Sequence, residues 1–261
     1  MTGFGGETVV VVDDVTLAYG DNVILQGVSF EVWRGEVFLV LGGSGSGKST
    51  LLKNMIGLYR PVRGRILFGG VDIITAQGEE RARLLRQFGV MYQSGALFGS
   101  MTLLENVRLP LDEFTGLDPE EKDLVALAKL NQVGLRAAAR KMPAELSGGM
   151  QKRAAIARAM ALDPSMLFLD EPSSGLDPVT SAGLDALIRE LAEGFGITFV
   201  VVTHELHSTY AIADRCILLD ARSRSIIAEG KPADLRDHAE NPRVRRFFRR
   251  EPEPAAGAWV R

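Results

Sequence analysis

Residues 39–52 read LVLGGSGSGKSTLL, and the reading of this stretch decides the fold. Apolar residues on both sides stop abruptly at a run of glycines and hydroxyl residues that contains a single lysine, Lys48. A flexible loop has no use for that lysine or for such sharp edges. Gly42, Gly47, Lys48 and Ser49 satisfy the pattern G-x-x-x-x-G-K-[ST], with Gly43, Ser44, Gly45 and Ser46 inside it and Thr50 directly after. Without Cβ atoms such a loop curls until several backbone N–H groups point at one oxyanion. A helix that follows aims the positive end of its dipole at the same anion. Lys48 then reaches the β- and γ-phosphates of a nucleotide, and the Ser49 hydroxyl ligates Mg²⁺.

The flanks fit that reading. Glu36 to Leu41 is a short apolar run suited to a strand buried on both faces. A helix is expected from about Lys48 to Leu58, ended by Gly57 and Pro61. Before the loop, Thr8 to Val12, Val15 to Tyr19 and Val28 to Val32 carry β-branched and aromatic residues, broken by turns at Asp13-Asp14 and Gly20 to Asn22. After it, strands at Arg65 to Phe68 and Phe88 to Tyr92 are separated by a charged helix, Glu79 to Arg86. From about Gln93 to Ala161 the character is helical, with candidates at Leu103 to Leu111, Pro119 to Val133 and Met150 to Leu162. Strand and helix then alternate: Met166 to Leu169, Val179 to Glu193, Ile197 to Val202, a helix after His204, and strands near Ile217 and Ile226. The order implies one α/β nucleotide-binding core interrupted by a helical insertion.

Composition sets the outer limits. A chain of 261 residues with 46% apolar and 24% charged residues holds a sizeable core. A formal net charge of −3 argues against non-specific nucleic-acid binding, so no nucleic-acid partner is expected. The one cysteine, Cys216, lies in an apolar run and is expected to be buried, which excludes a disulfide framework. The first basic residue is Arg34 and the apolar runs are far shorter than a membrane span, so a cytoplasmic chain is expected.

Two more stretches carry chemistry. Met166 to Leu169 is an apolar strand that ends in Asp170-Glu171. Buried acids need partners. Asp170 suits an outer contact to Mg²⁺, and Glu171 suits positioning or deprotonating an attacking water. In Leu146-Ser147-Gly148-Gly149-Met150-Gln151, Ser147 caps a helix whose first turn is weakened by two glycines, by up to about 1 kcal/mol each. A helix built only for packing gains nothing from them, whereas an anion approaching bare backbone would.

With the phosphate loop, the LSGG stretch and the acidic strand in this order, the chain resembles the ABC-transporter ATPase family over nearly its whole length, from Val9 to about Asp234. The resemblance implies a P-loop NTPase core of ABC type, with an N-terminal antiparallel β-subdomain and an inserted α-helical subdomain. It divides the chain into an ATPase domain, 1–235, with core 1–92 and 162–235 and helical subdomain about 93–161, and a C-terminal extension, 236–261. It implies ATP and Mg²⁺ as ligands. Tyr19 resembles the residue that stacks on adenine. Gln93 resembles the glutamine that contacts Mg²⁺ and water. Asp177, in Ser174-Gly175-Leu176-Asp177, resembles the D-loop aspartate, with glycine at a position usually alanine. His204 resembles the switch histidine at the γ-phosphate. In the family, Ser147, Gly148 and Gly149 complete a nucleotide held by a second copy, so two chains are implied, with two ATP molecules between them.

Gln93-Ser94-Gly95-Ala96-Leu97-Phe98 and Met150 at the usual glutamine position are most similar to ATPases of the Mla/MCE phospholipid-transport systems. That resemblance implies an inner-membrane permease, a periplasmic MCE lipid-binding protein and a STAS-domain protein as partners. It also implies peripheral attachment to the cytoplasmic side of the inner membrane. The segment Glu171 to Asp177 is shared with amino-acid importers, which remain an alternative. A soluble ABC ATPase would show a coiled-coil insertion or a second cassette, and a non-hydrolysing regulatory module would lack Glu171 or His204. Two surface expectations complete the reading. Leu103 to Leu111 is expected to receive the permease, or else to pack internally. The Val244, Phe247 and Phe248 patch in NPRVRRFFRR, 241–250, is expected to dock on a second subunit or STAS-type partner, or else on its own chain. Glu251 to Pro254 is expected to be a disordered tail.

Overall fold

β-Branched residues dominate the first thirty positions, and in the computed structural model, which describes residues 6–252, they form two long strands, β1 (Thr8–Tyr19) and β2 (Asn22–Trp33). The Asp13-Asp14 pair is not a turn between two strands. Asp14 takes φ 48° and makes a bulge, while pairing to β2 continues on both sides at Val12–Phe30 and Val15–Val28. Aspartate tolerates this left-handed conformation, so the strand bends without ending. Next come β3 (Val37–Gly42), α1 (Lys48–Met55), β4 (Arg63–Phe68), β5 (Val71–Asp72), α2 (Gly78–Arg86) and β6 (Phe88–Met91). Three helices follow, α3 (Leu103–Phe114), α4 (Pro119–Gln132) and α5 (Gly148–Ala159). The chain continues through β7 (Met166–Asp170), α6 (Pro178–Phe195), β8 (Thr198–Thr203), α7 (Leu206–Ile212), β9 (Arg215–Asp220) and β10 (Ser225–Gly230). It closes with α8 (Pro232–His238) and α9 (Pro242–Arg249). Of the expected tail, residues 253 and 254 lie outside the described residues.

Two sheets result. One is antiparallel, in the order β2-β1-β4-β5, and the other runs β10-β9-β3-β8-β7-β6 with only β10 antiparallel. The parallel strands are apolar through their middles because both faces are covered, and their polar residues sit at the ends. Val37, Leu39 and Leu41 of β3 face the helical side, while Phe38 and Val40 face the antiparallel sheet and α1. β7 divides in the same way, with Leu167 and Leu169 on one side and Met166 and Phe168 on the other. One buried ionic group joins the sheets. Arg215 of β9 donates to Glu36 at 3.1 Å and stacks over the Trp33 ring at 3.8 Å. Cys216 is fully buried, and burial pushes its thiol up to about 12.

Burial settles both surface expectations, and a cap moves one helix boundary. Leu103, Val107 and Leu111 of α3 pack inside the helical layer, so the internal alternative holds for them. α5 begins at Gly148, two residues earlier than its composition suggests, because Ser147 Oγ accepts from the Met150 N–H and caps it. On α9, Val244 and Phe248 are buried in the chain's own core, and Tyr210 Oη of α7 donates to the Phe248 carbonyl at 2.7 Å. Docking of the whole patch on another subunit is therefore corrected: two of its three apolar residues are already covered by their own chain.

Phe248→Ala should accordingly destabilise the isolated chain by about 3–5 kcal/mol in chemical denaturation. Unchanged stability together with weakened assembly would restore the docking reading.

Candidate functional site

Four neighbouring parallel strands deliver their carboxyl ends to one edge, where open α/β sheets bind ligands. β3 ends in Gly42 and the phosphate loop, β8 in Thr203 and His204, β7 in Asp170 and Glu171, and β6 just before Gln93. Register keeps these ends level, with Leu41 beside Thr203, Asp170 beside Val202 and Met91 beside Leu169. Loop 42–50 therefore meets Gln93, Glu171 and His204 around a cleft of about 700 Å³, with Phe247 of α9 as a further wall.

The loop depends on missing side chains. A Cβ on Gly42 would stand 2.3 Å from Ser46 Oγ and 2.8 Å from the Leu219 carbonyl oxygen. Gly47, at φ 94°, precedes α1 with no side chain capping the helix, so its first N–H groups face the loop. Lys48 Nζ donates to the carbonyls of Gly42 at 2.9 Å and Gly43 at 3.1 Å, and lies 4.0 Å from Glu171. Burial pulls the Lys48 ammonium below its ordinary pKa, opposed by Glu171 and Asp170.

Asp170 and Glu171 are both buried. Burial raises the Asp170 pKa, while Ser49 Oγ, donating at 3.2 Å, works the other way. Glu171 has φ 48°, a conformation that costs a non-glycine residue about 1–3 kcal/mol. Its N–H donates to the Val202 carbonyl at 2.8 Å, and this bond holds the residue at the strand end. His204 Nδ1 lies 2.9 Å from both Glu171 oxygens. In the tautomer that carries its proton on Nδ1, the imidazole donates to this carboxylate, with Nε2 facing away from the pair.

A nucleotide phosphate fits these residues. Ser46 Oγ is buried without a hydrogen-bond partner, the glycine cradle would be filled by a single Cβ, and a partly desolvated ammonium sits at its floor. The same donor set suits Mg²⁺, which takes few protein ligands and leaves the rest of its shell to water and phosphate. Ser49 Oγ and Asp170 stand together for that purpose, and among the described residues no cluster of three or more His, Cys, Asp or Glu offers a protein cage.

Other expected residues lie elsewhere. Tyr19 is 48% exposed, with its hydroxyl 3.5 Å from Thr50 Oγ1 and its ring edge-on to Tyr59. Ser147, Gly148, Gly149 and Asp177 do not line the cleft of their own chain. Asp177 instead caps α6, accepting from the Val179 and Thr180 N–H groups at 3.0 Å. Gly149 also has a packing reason that the sequence reading denied it, because a Cβ there would meet Thr180 Cγ2 at 2.3 Å. Two residues at the site escaped sequence reasoning. Phe247 comes from a helix remote in sequence and carries no local signal. Lys152 is buried on α5 and donates to the Gln93 carbonyl. Its spacing from buried Gly149 and Ile156 puts it on the apolar stripe, which is a legible anomaly.

The comparisons point the same way. A family model described as ABC transporter matches residues 25–174. The chain is similar to the intermembrane phospholipid transport system ATP-binding protein MlaF of Haemophilus influenzae, 38% identical over 245 residues, covering 94% of this chain and 92% of that one. It is also similar to the probable ribonucleotide transport ATP-binding protein mkl of Mycobacterium leprae, 39% identical over 254 residues, covering 95% of this chain and 72% of that one. Among solved structures, the dimeric ATP-binding cassette MJ0796 bound to ADP and Pi aligns with a TM-score of 0.75 and 32% identity, over 85% of this chain and 98% of that one.

Gly42→Ala should weaken ATP binding at least tenfold, because the added methyl strikes a backbone carbonyl that cannot move aside, and Lys48→Ala should do so by removing the buried ammonium. Equilibrium titration with a fluorescent ATP analogue measures both. Wild-type affinity in either variant would remove the loop from the site.

Proposed function

The chain belongs to the ABC transporter family as an ATP-binding and ATP-hydrolysing subunit, and from that premise we propose that it powers phospholipid transport between membranes through a separate permease. The convergence of the phosphate loop, Glu171 and His204 in one cleft supports the hydrolytic part of this reading. Loop 42–50 binds the β- and γ-phosphates through backbone N–H groups and Lys48, which exchanges its carbonyl partners for phosphate oxygens. Glu171 accepts the proton of the attacking water as its oxygen bonds to the γ-phosphorus, and the bond to the β-phosphate oxygen breaks to give ADP and phosphate. His204 orients Glu171 from the open side. Ser49, Asp170 and Gln93 would hold Mg²⁺, which would neutralise charge on the phosphate oxygens. Tyr19 stacks on the adenine. Ser147, Gly148, Gly149 and Asp177, which do not line their own cleft, serve the nucleotide of a second copy.

Among the described residues no helix is long and apolar enough to cross a membrane. In this reading the chain attaches through a permease at the cytoplasmic face of the inner membrane. An MCE lipid-binding protein and a STAS-domain protein complete the assembly in this reading. Phospholipid is favoured as cargo by the Gln93 to Phe98 segment, by Met150 and by coverage of 92% of the phospholipid-transport relative. The ribonucleotide-transport relative, 39% identical against 38%, keeps a second cargo open to test.

Glu171→Gln should keep ATP binding and lower turnover by about 10²-fold or more, as measured by phosphate release. Near-wild-type turnover would exclude Glu171 as the base. Purification of the assembled complex from solubilised membranes, followed by mass spectrometry, should find a permease with bound phospholipid. A permease that carries ribonucleotides and no lipid would overturn the cargo.

A further inference from the structure

α5 does more than present Ser147 at its start, because two of its cations turn back onto the loop that carries Gln93. Lys152 Nζ donates to the Gln93 carbonyl. Further along the same helix, Arg158 donates to the carbonyls of Ala96 at 2.7 Å and Gly95 at 2.9 Å, and its guanidinium lies 6.0 Å from the centre of the Phe98 ring. Gly95 and Ala96 both have positive φ, 73° and 48°, so Arg158 grips the sharpest part of the loop. Lys152 grips the end that enters the cleft.

Packing does not account for Lys152. It is only 8% exposed, and its ammonium donates to a backbone carbonyl of the cleft loop. A buried ammonium is costly, and an apolar side chain of equal length would commonly be as stable or more so in its place. What an apolar side chain cannot do is bond the Gln93 carbonyl. We infer that Lys152 is a positioning residue for ATP hydrolysis, fixing the Gln93 end of the loop where it enters the cleft while Arg158 fixes the far end. The inference rests on the hydrolytic reading of the cleft. Its consequence is geometric: displacing a site group by about 1 Å costs up to about 10²-fold in rate.

Purified full-length wild-type, Lys152→Met, Lys152→Arg and Glu171→Gln chains are compared for kcat, KM for ATP and Tm. Lys152→Met should lower kcat about tenfold, with KM within about threefold and Tm unchanged or higher, the pattern of a lost transition-state contribution. Lys152→Arg, which keeps a cationic donor, should recover kcat to within about threefold of wild type. Wild-type kcat in Lys152→Met overturns the inference. So does a fall in kcat, affinity and Tm together without recovery in Lys152→Arg, which marks a purely structural role. Full turnover in Glu171→Gln would overturn the hydrolytic reading itself, and Lys152 with it. Normal loss there, with Lys152→Met unaffected, rejects Lys152 alone.

Discussion

A buried ammonium placed between two backbone carbonyls and two buried carboxylates is the interaction on which the rest depends. Lys48 is desolvated and 4.0 Å from Glu171, and its two short bonds go to Gly42 and Gly43. Charges of this kind are tolerated at low exposure only where geometry supplies partners for each of them. The parallel sheet supplies that geometry. Adjacent strands in level register bring the bare loop, the acid pair and the histidine to one edge. The apolar alternation on both faces of β3, β7 and β8 holds that edge in place, so core packing and site chemistry belong to one construction.

Much of this was legible in the sequence because its signals are local. The phosphate loop, the acids ending an apolar strand and the serine cap of α5 are each contained within a few residues, and their chemistry follows from composition and order. Signals that depend on distance along the chain were harder. Asp13-Asp14 looked like a turn because two acidic residues commonly break strands, yet pairing with β2 carries β1 through them as a bulge. Gly149 looked useful only to an anion, whereas its closeness to Thr180 across two helices is a tertiary fact. Phe247 reaches the cleft from a helix that no local pattern connects to it.

α9 shows how one short helix can be misjudged. Its spacing correctly gathers Val244, Phe247 and Phe248 on a single face, and hydrophobicity alone cannot say what covers that face. Val244 and Phe248 are covered by the chain's own core and by the Tyr210 hydrogen bond. Phe247 is left at the wall of the cleft, and Arg250 lies 3.1 Å from His207 Nε2 on α7. The helix is thereby tied to the segment that follows His204. α5 makes a comparable tie from the opposite side through Lys152 and Arg158.

The central claim is that the glycine loop and Lys48 receive the nucleotide phosphates beside Glu171, in a site that a second copy completes. The most direct measurement is an experimental structure of the Glu171→Gln chain with ATP and Mg²⁺. The account predicts β- and γ-phosphates on the backbone of loop 42–50, with Lys48 moved from the Gly42 and Gly43 carbonyls to phosphate oxygens. It also predicts Ser147 to Gly149 of another copy against the same nucleotide. Nucleotide bound away from the loop, or Lys48 still on its two carbonyls with phosphate present, would contradict it.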